Sequence, residues 1–176
     1  MKIYLKRYYG DCMITMSVMT IMSDDGMVMM ECEAREAAFA EYKKAFEGSS
    51  KYCLAAGTFD AKTKSTTLSP FHLTIMCSPG HRCCRFSWDE AKQTLFNTVL
   101  IGIVDIPLSA LDIQQDGSIG GDVLERIRRR RLICQQETFK TLERLLYQAY
   151  ISNEKITVTV DNDGMIYPRK VASAQQ

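Results

Sequence analysis

Two histidines in 176 residues leave the chain short of imidazole, the side chain most often used as a general base near neutral pH and a common metal ligand. Any nucleophile needing an imidazole base would have to use His72 or His81. A surplus of one charge sign is also lacking. The 22 Lys and Arg residues oppose 21 Asp and Glu, a net charge of +1. The whole chain therefore lacks the electropositive field of a dedicated nucleic-acid binder, and any such role must be local. Long apolar runs are missing as well. The opening MKIYLKRYYGDC has no apolar core of about 7 to 15 residues, as a secretory signal requires. No later segment reaches the roughly 20 apolar residues that span a bilayer, so a cytoplasmic chain with no membrane partner is expected. Seven cysteines, at 12, 32, 53, 77, 83, 84 and 134, do not make the evenly paired framework of a small secreted domain. Reduced thiols are expected. Nothing repeats at a fixed period, and no segment is low in complexity.

What is present reads as a single α+β domain over residues 1–164, followed by a polar tail over 165–176. Its expected architecture is a mixed or antiparallel sheet with an N-terminal hairpin and two or three packed helices. Residues 14–22, ITMSVMTIM, alternate with period two, Asp24-Asp25-Gly26 supplies turn chemistry, and Met27 to Cys32 return as the second strand. From Glu33 to Glu47 good helix formers carry an apolar stripe of Phe39, Tyr42 and Phe46, which predicts a helix. Short strands are expected over 51–59, 71–77 and 83–88, and Thr98 to Val104 reads as a strand buried on both faces. Residues 105–134 read as an insertion, a long loop and then a short basic helix. Glu137 to Ile151 shows the clearest helical spacing, and Lys155 to Val160 the last strand. The ten methionines most simply fill irregular core space.

The segment MCSPGHRCCRF, Met76 to Phe86, gathers Cys77, His81, Cys83 and Cys84, all chemically able to hold zinc. Their spacing argues against it, because strand neighbours such as Cys83 and Cys84 point to opposite faces and no second ligand pair exists elsewhere. A Cys83–Cys84 disulfide would be strained and opposed by a reducing compartment. If Pro79-Gly80 closes a tight hairpin, Cys77 and Cys84 share the apolar face with Phe71, Leu73, Ile75 and Phe86. Cys83 then lies with Met76, Arg85 and His72. The bland reading, small buried hydrophobes, fits these cysteines best. The sharper one makes Cys83 or Cys84 a nucleophile with His72 or His81 as base.

A second cluster, DVLERIRRRRL, sets Arg126, Arg128, Arg129, Arg130 and Arg131 after a plausible N-cap at Asp122. At 100° per residue Arg126, Arg129 and Arg130 lie opposite Leu124 and Ile127. A solvated helix face is the plainer account, and a phosphate-binding patch the alternative.

Residues 78–102, SPGHRCCRFSWDEAKQTLFNTVLIG, resemble the central motif of a small bacterial and phage domain family, loosely L,D-transpeptidase-like, with the pattern PGxxGIRIHxGN followed by DTxGCILVG. Pro79, Gly80, Arg85 and Phe86 fall on the first half, and Val99, Leu100, Ile101 and Gly102 on the closing ILVG. MKIYLKRYY resembles the family's opening strand, Ala56 to Phe59 its AGTY-like strand, and residues 137–160 its final helix and strand. The resemblance implies a fold shared with that family. It also implies what is missing. Ser87 stands at the family's histidine and Thr98 at its cysteine, and these residues cannot take over without a new base to accept the proton. The expectation is a bacterial or phage non-catalytic binding module without a cofactor, whose partner is a protein or a nucleic acid. The alternatives are a cysteine-dependent hydrolase or acyltransferase, or a nucleic-acid binder using the arginine run.

Overall fold

The fold comes from a computed structural model that describes residues 1–11, 13–39, 53–66, 69–77, 80–87, 97–106, 125–127 and 129–166, of which 64–66, 69–77, 80–85 and 97 are described as backbone only. In chain order its strands are β1 (Lys2–Gly10), β2 (Thr15–Met22), β3 (Val28–Glu36), β4 (Gly57–Thr66), β5 (Ser69–Cys77), β6 (Gly80–Ser87), β7 (Asn97–Val104) and β8 (Leu132–Ile133). Helix α1 (Gln135–Ile151) and strand β9 (Ile156–Asp161) follow.

All nine strands belong to one mixed sheet in the order β3-β2-β1-β9-β4-β5-β6-β7-β8, and β3 also pairs with β7. That last pairing closes the sheet into a ring of eight strands with β8 attached to β7, so the two long edges an open sheet would expose are joined to each other. Among the described strand pairs β1–β9 and β6–β7 are parallel and the others antiparallel.

Period-two alternation fixes what points inward. Ile3 and Leu5 of β1 stand opposite Ile21 and Met19 of β2, and beside Val158 and Val160 of β9; all are buried in one core. Met30, Cys32 and Ala34 of β3, Ala61 of β4, Phe86 of β6, and Val99 and Ile101 of β7 add to the inner wall. Helix α1 presents Phe139, Leu142, Leu146 and Ala149 to this core, the stripe its 3.6-residue period predicts. In β2 the core side is Ser17, Met19 and Ile21, whereas Met16 serves the opposite side.

The opposite side has its own cluster because β1 carries a bulge. Register shifts between Arg7 and Tyr9, which turns Tyr9 to the face away from Ile3 and Leu5. There Tyr9 packs with Met16 and Ile127, joined by Tyr8, Ile14, Ile106 and Ile166. The first hairpin turns where Asp24-Asp25-Gly26 predicts, with Gly26 at φ 89°, a conformation glycine adopts without strain. Gly26 N–H donates to the Ser23 carbonyl at 3.1 Å.

Two expectations are corrected. The α+β class with two or three packed helices gives way to a mostly β fold: the described helical residues are α1 and a short turn at Glu125–Ile127 and Arg129. The helix expected from Glu33 is strand through Glu36, since Ala34 fills the closed core and Glu36 reaches a buried partner on β1, tertiary gains that outweigh modest helix propensity. Residues 40–47 of that expected helix, and 107–124 of the expected insertion, lie outside the described residues. At the start of the span expected as tail, Ile166 N–H donates to the Tyr8 carbonyl and its own carbonyl accepts from Gly10 N–H, each at 3.0 Å.

Candidate functional site

The parallel pairing of β6 with β7 brings Ser87 and Thr98 onto neighbouring strands. Arg85 stands beside Thr98 and Ser87 beside Leu100. Thr98 and Leu100 are two residues apart, so Ser87 and Thr98 occupy one face as diagonal neighbours, on the order of 8 Å apart for strands ~4.8 Å apart with a two-residue offset. Both are buried, Ser87 4% exposed and Thr98 3%. His81 lies six positions before Ser87 on the same strand, roughly 20 Å away along the backbone, beyond the reach of an imidazole.

In the hairpin of β5 and β6, Cys77 stands opposite Gly80, Met76 opposite His81, Thr74 opposite Cys83 and Leu73 opposite Cys84. The side chains of His72, Cys77, His81, Cys83 and Cys84 lie outside the described residues, as does Cys12. Among the described residues no three His, Cys, Asp or Glu side chains converge on a metal-sized site. Cys32 and Cys53 are buried, while Cys134 is exposed. Burial in the apolar core pushes the Cys32 thiol up to about 12, which keeps it protonated and makes it a packing residue.

The arginine run divides. Arg126, Arg129 and Arg131 are exposed, Arg128 lies outside the described residues, and Arg130 is 2% exposed. The helical turn ends at Arg129, and Arg130 N–H donates to the Ile127 carbonyl at 3.2 Å, a tight i to i−3 closure. This ends the regular rotation that would have put Arg130 beside Arg126 and Arg129. Its guanidinium instead enters the second cluster: Nε donates to the Ile106 carbonyl at 2.7 Å and Nη1 to the Tyr8 hydroxyl at 2.6 Å, with Cζ 5.5 Å from the Tyr8 ring centroid. The Tyr8 hydroxyl donates to Glu33 Oε2 at 2.9 Å, and Arg130 Nη2 lies 3.6 Å from Glu33 Oε1. Burial raises the Glu33 carboxyl above its ordinary range despite the favourable pull of Tyr8 and Arg130, and burial likewise raises Tyr8.

A second buried cation escapes sequence reasoning altogether. Arg7 follows Ile3 and Leu5 on the inward register of β1 and pairs with Glu36, each almost wholly buried. The available signal was the alternation itself, which aims Arg7 at the core and demands a buried acid to meet it.

An open groove of about 450 Å³ lies between β4 and the C-terminal end of α1. Asp60, Lys62, Tyr150, Asn153, Glu154 and Lys155 line it, and Lys155 Nζ lies 3.2 Å from Asp60 Oδ1. Its charges are mixed and partly self-neutralised. No described helix is long and apolar enough to cross a membrane. No protein-family model matches the chain, and no curated protein or solved structure is significantly similar to it.

Proposed function

We propose that the chain is a non-catalytic binding module, a relative of the resembling bacterial and phage family in which the histidine and cysteine positions hold hydroxyl residues. The observation that carries this reading is the placement of Ser87 and Thr98. They are diagonal neighbours on β6 and β7, on one face, at 4% and 3% exposure. Adjacent strands would bring a base and a nucleophile together there, and the residues present supply neither an imidazole nor a thiol. A serine or threonine hydroxyl is a weaker nucleophile than a thiolate at neutral pH, and a buried one is closed to a macromolecular substrate.

A cytoplasmic setting with reduced thiols and no cofactor belongs to the same proposal. A protein or nucleic-acid partner would then be recognised by surface rather than by turnover. The competing reading is a hydrolase or acyltransferase using Cys83 or Cys84.

A panel of electrophiles tests the proposal. The native chain is treated at neutral pH with a fluorophosphonate, which reports activated hydroxyls, and a chloroacetamide, which reports activated thiols. No fluorophosphonate adduct and only slow thiol alkylation are expected. Rapid stoichiometric labelling at Ser87, Thr98, Cys83 or Cys84 would overturn the reading.

A further inference from the structure

We infer that the segment carrying Arg126, Arg129 and Arg131 is a docking surface for the phosphate backbone of nucleic acid, an inference that deepens the binding-module reading and rests on it. The segment is fixed at two points. Ile127, fully buried, packs with Tyr9 and Met16, and Arg130 is held by Tyr8, the Ile106 carbonyl and the nearby Glu33. The bulge in β1 creates this seat by turning Tyr9 outward.

Anchoring separates the charges by role. Arg130 is buried beside its own counter-charge and adds little to the external field. Arg126 and Arg129, three positions apart on the helical turn, are near neighbours on its surface, and Arg131, two positions further along the chain, is exposed as well. Among the described residues the competitors are weak. Glu125 meets Arg129 at 2.6 Å, but both side chains are more than half exposed, and such a pair yields readily to a phosphate. Asp105 Oδ1 accepts from the Arg131 backbone N–H at 3.0 Å, which leaves the Arg131 guanidinium to other partners.

Three displayed guanidinium forks suit phosphate oxygens, which they bind in pairs through parallel N–H donors. The near-zero net charge of the chain makes this a local interaction, with no general attraction to polyanions behind it. Backbone contacts of this kind do not read base sequence.

The test is fluorescence anisotropy of the full chain with a labelled duplex and a labelled single strand of mixed sequence, from about 50 to about 200 mM salt. Three phosphate contacts predict a slope of log affinity against log salt of about −2.7 on duplex and about −2.1 on single strand. The variant R126Q/R129Q/R131Q should bind at least about tenfold more weakly at the lowest salt with a slope above about −1, while keeping its melting temperature. The charge-matched control K62Q/K140Q/K155Q should bind as the native chain does. Absence of binding, binding that ignores salt, an unchanged triple-arginine variant, or a stronger arginine-dependent preference for phosphatidylserine vesicles would each overturn the inference. Such a failure, with slow alkylation of every thiol, would remove the nucleic-acid partner while leaving the non-catalytic reading in place.

Discussion

Arg7 and Glu36 are bound fork to fork inside the closed sheet: Arg7 Nε donates to Glu36 Oε2 at 2.9 Å and Nη2 to Oε1 at 2.8 Å. Their surroundings complete the pairing. Arg7 Nη2 also donates to the Leu54 carbonyl at 2.7 Å, Nη1 to Asn162 Oδ1 at 3.1 Å, and Leu54 N–H donates to Glu36 Oε1 at 3.0 Å. The pair thus ties β1 and β3 to the 53–56 segment and to the end of β9.

Breaking that pair from one side leaves a buried charge alone. Glu36→Leu is expected to cost about 3–5 kcal/mol, and the double variant Arg7→Met/Glu36→Leu to recover much of the loss, because the apolar pair needs no desolvated ions. Urea unfolding of the two variants checks this. A double variant no more stable than the single one would show that the ion pair itself, rather than the orphaned charge, is what matters.

Glu33 gives the fold a pH signature of definite sign. Its folded carboxyl is raised above the ordinary value of 4.5, chiefly by burial, so the folded state holds its proton more tightly than the unfolded chain. The resulting stability is fully present below the unfolded value and is lost as pH rises through the raised folded value. Melting temperatures measured from about pH 4 to pH 7 should carry this downward component in the native chain and lose it in Glu33→Gln. Identical pH profiles for the two proteins would contradict the assignment.

Gly102 marks where β3 gives way to β8 along the same side of β7. A Cβ there would meet the Ile133 carbonyl oxygen at 2.8 Å and Gln135 Cγ at 3.0 Å. Gly102→Ala should therefore cost about 1–3 kcal/mol by steric overpacking, measured as a lowered urea midpoint with an unchanged slope. The equivalent change at an open position would cost far less.

The helix offers a paired comparison. Leu142 is fully buried and should cost about 2–5 kcal/mol on change to Ala, whereas exposed Gln148→Ala should stay within about 0.5 kcal/mol. Equal effects would mean that α1 does not pack on the core through the face described.

Local patterns in the sequence were enough to find the β2–β3 hairpin, β7, α1 and β9, because each carries its own period, turn or cap. What could not be read locally was pairing at a distance. Glu33, Ala34, Arg35 and Glu36 are serviceable helix formers, and the extension of the β2 ladder to Thr15, the closure of β3 on β7 and the contact of Glu36 with Arg7, 29 positions away, hold them as strand. Arg130 escaped for a related reason: a helical wheel assumes continued rotation, and the chain leaves the helix one residue earlier. Ser87 and Thr98 drew notice only through a resemblance, and their diagonal placement on one face depends on a parallel register set by the whole sheet.

The most direct test of the non-catalytic reading is the alkylation rate of each cysteine in the native chain at neutral pH, resolved by peptide mapping, with exposed Cys134 as the internal reference. The account predicts that Cys83 and Cys84 react no faster than Cys134. A rate at either one at least about 100-fold above that reference, abolished when His72 or His81 is changed to Ala, would reveal an activated thiol and contradict it.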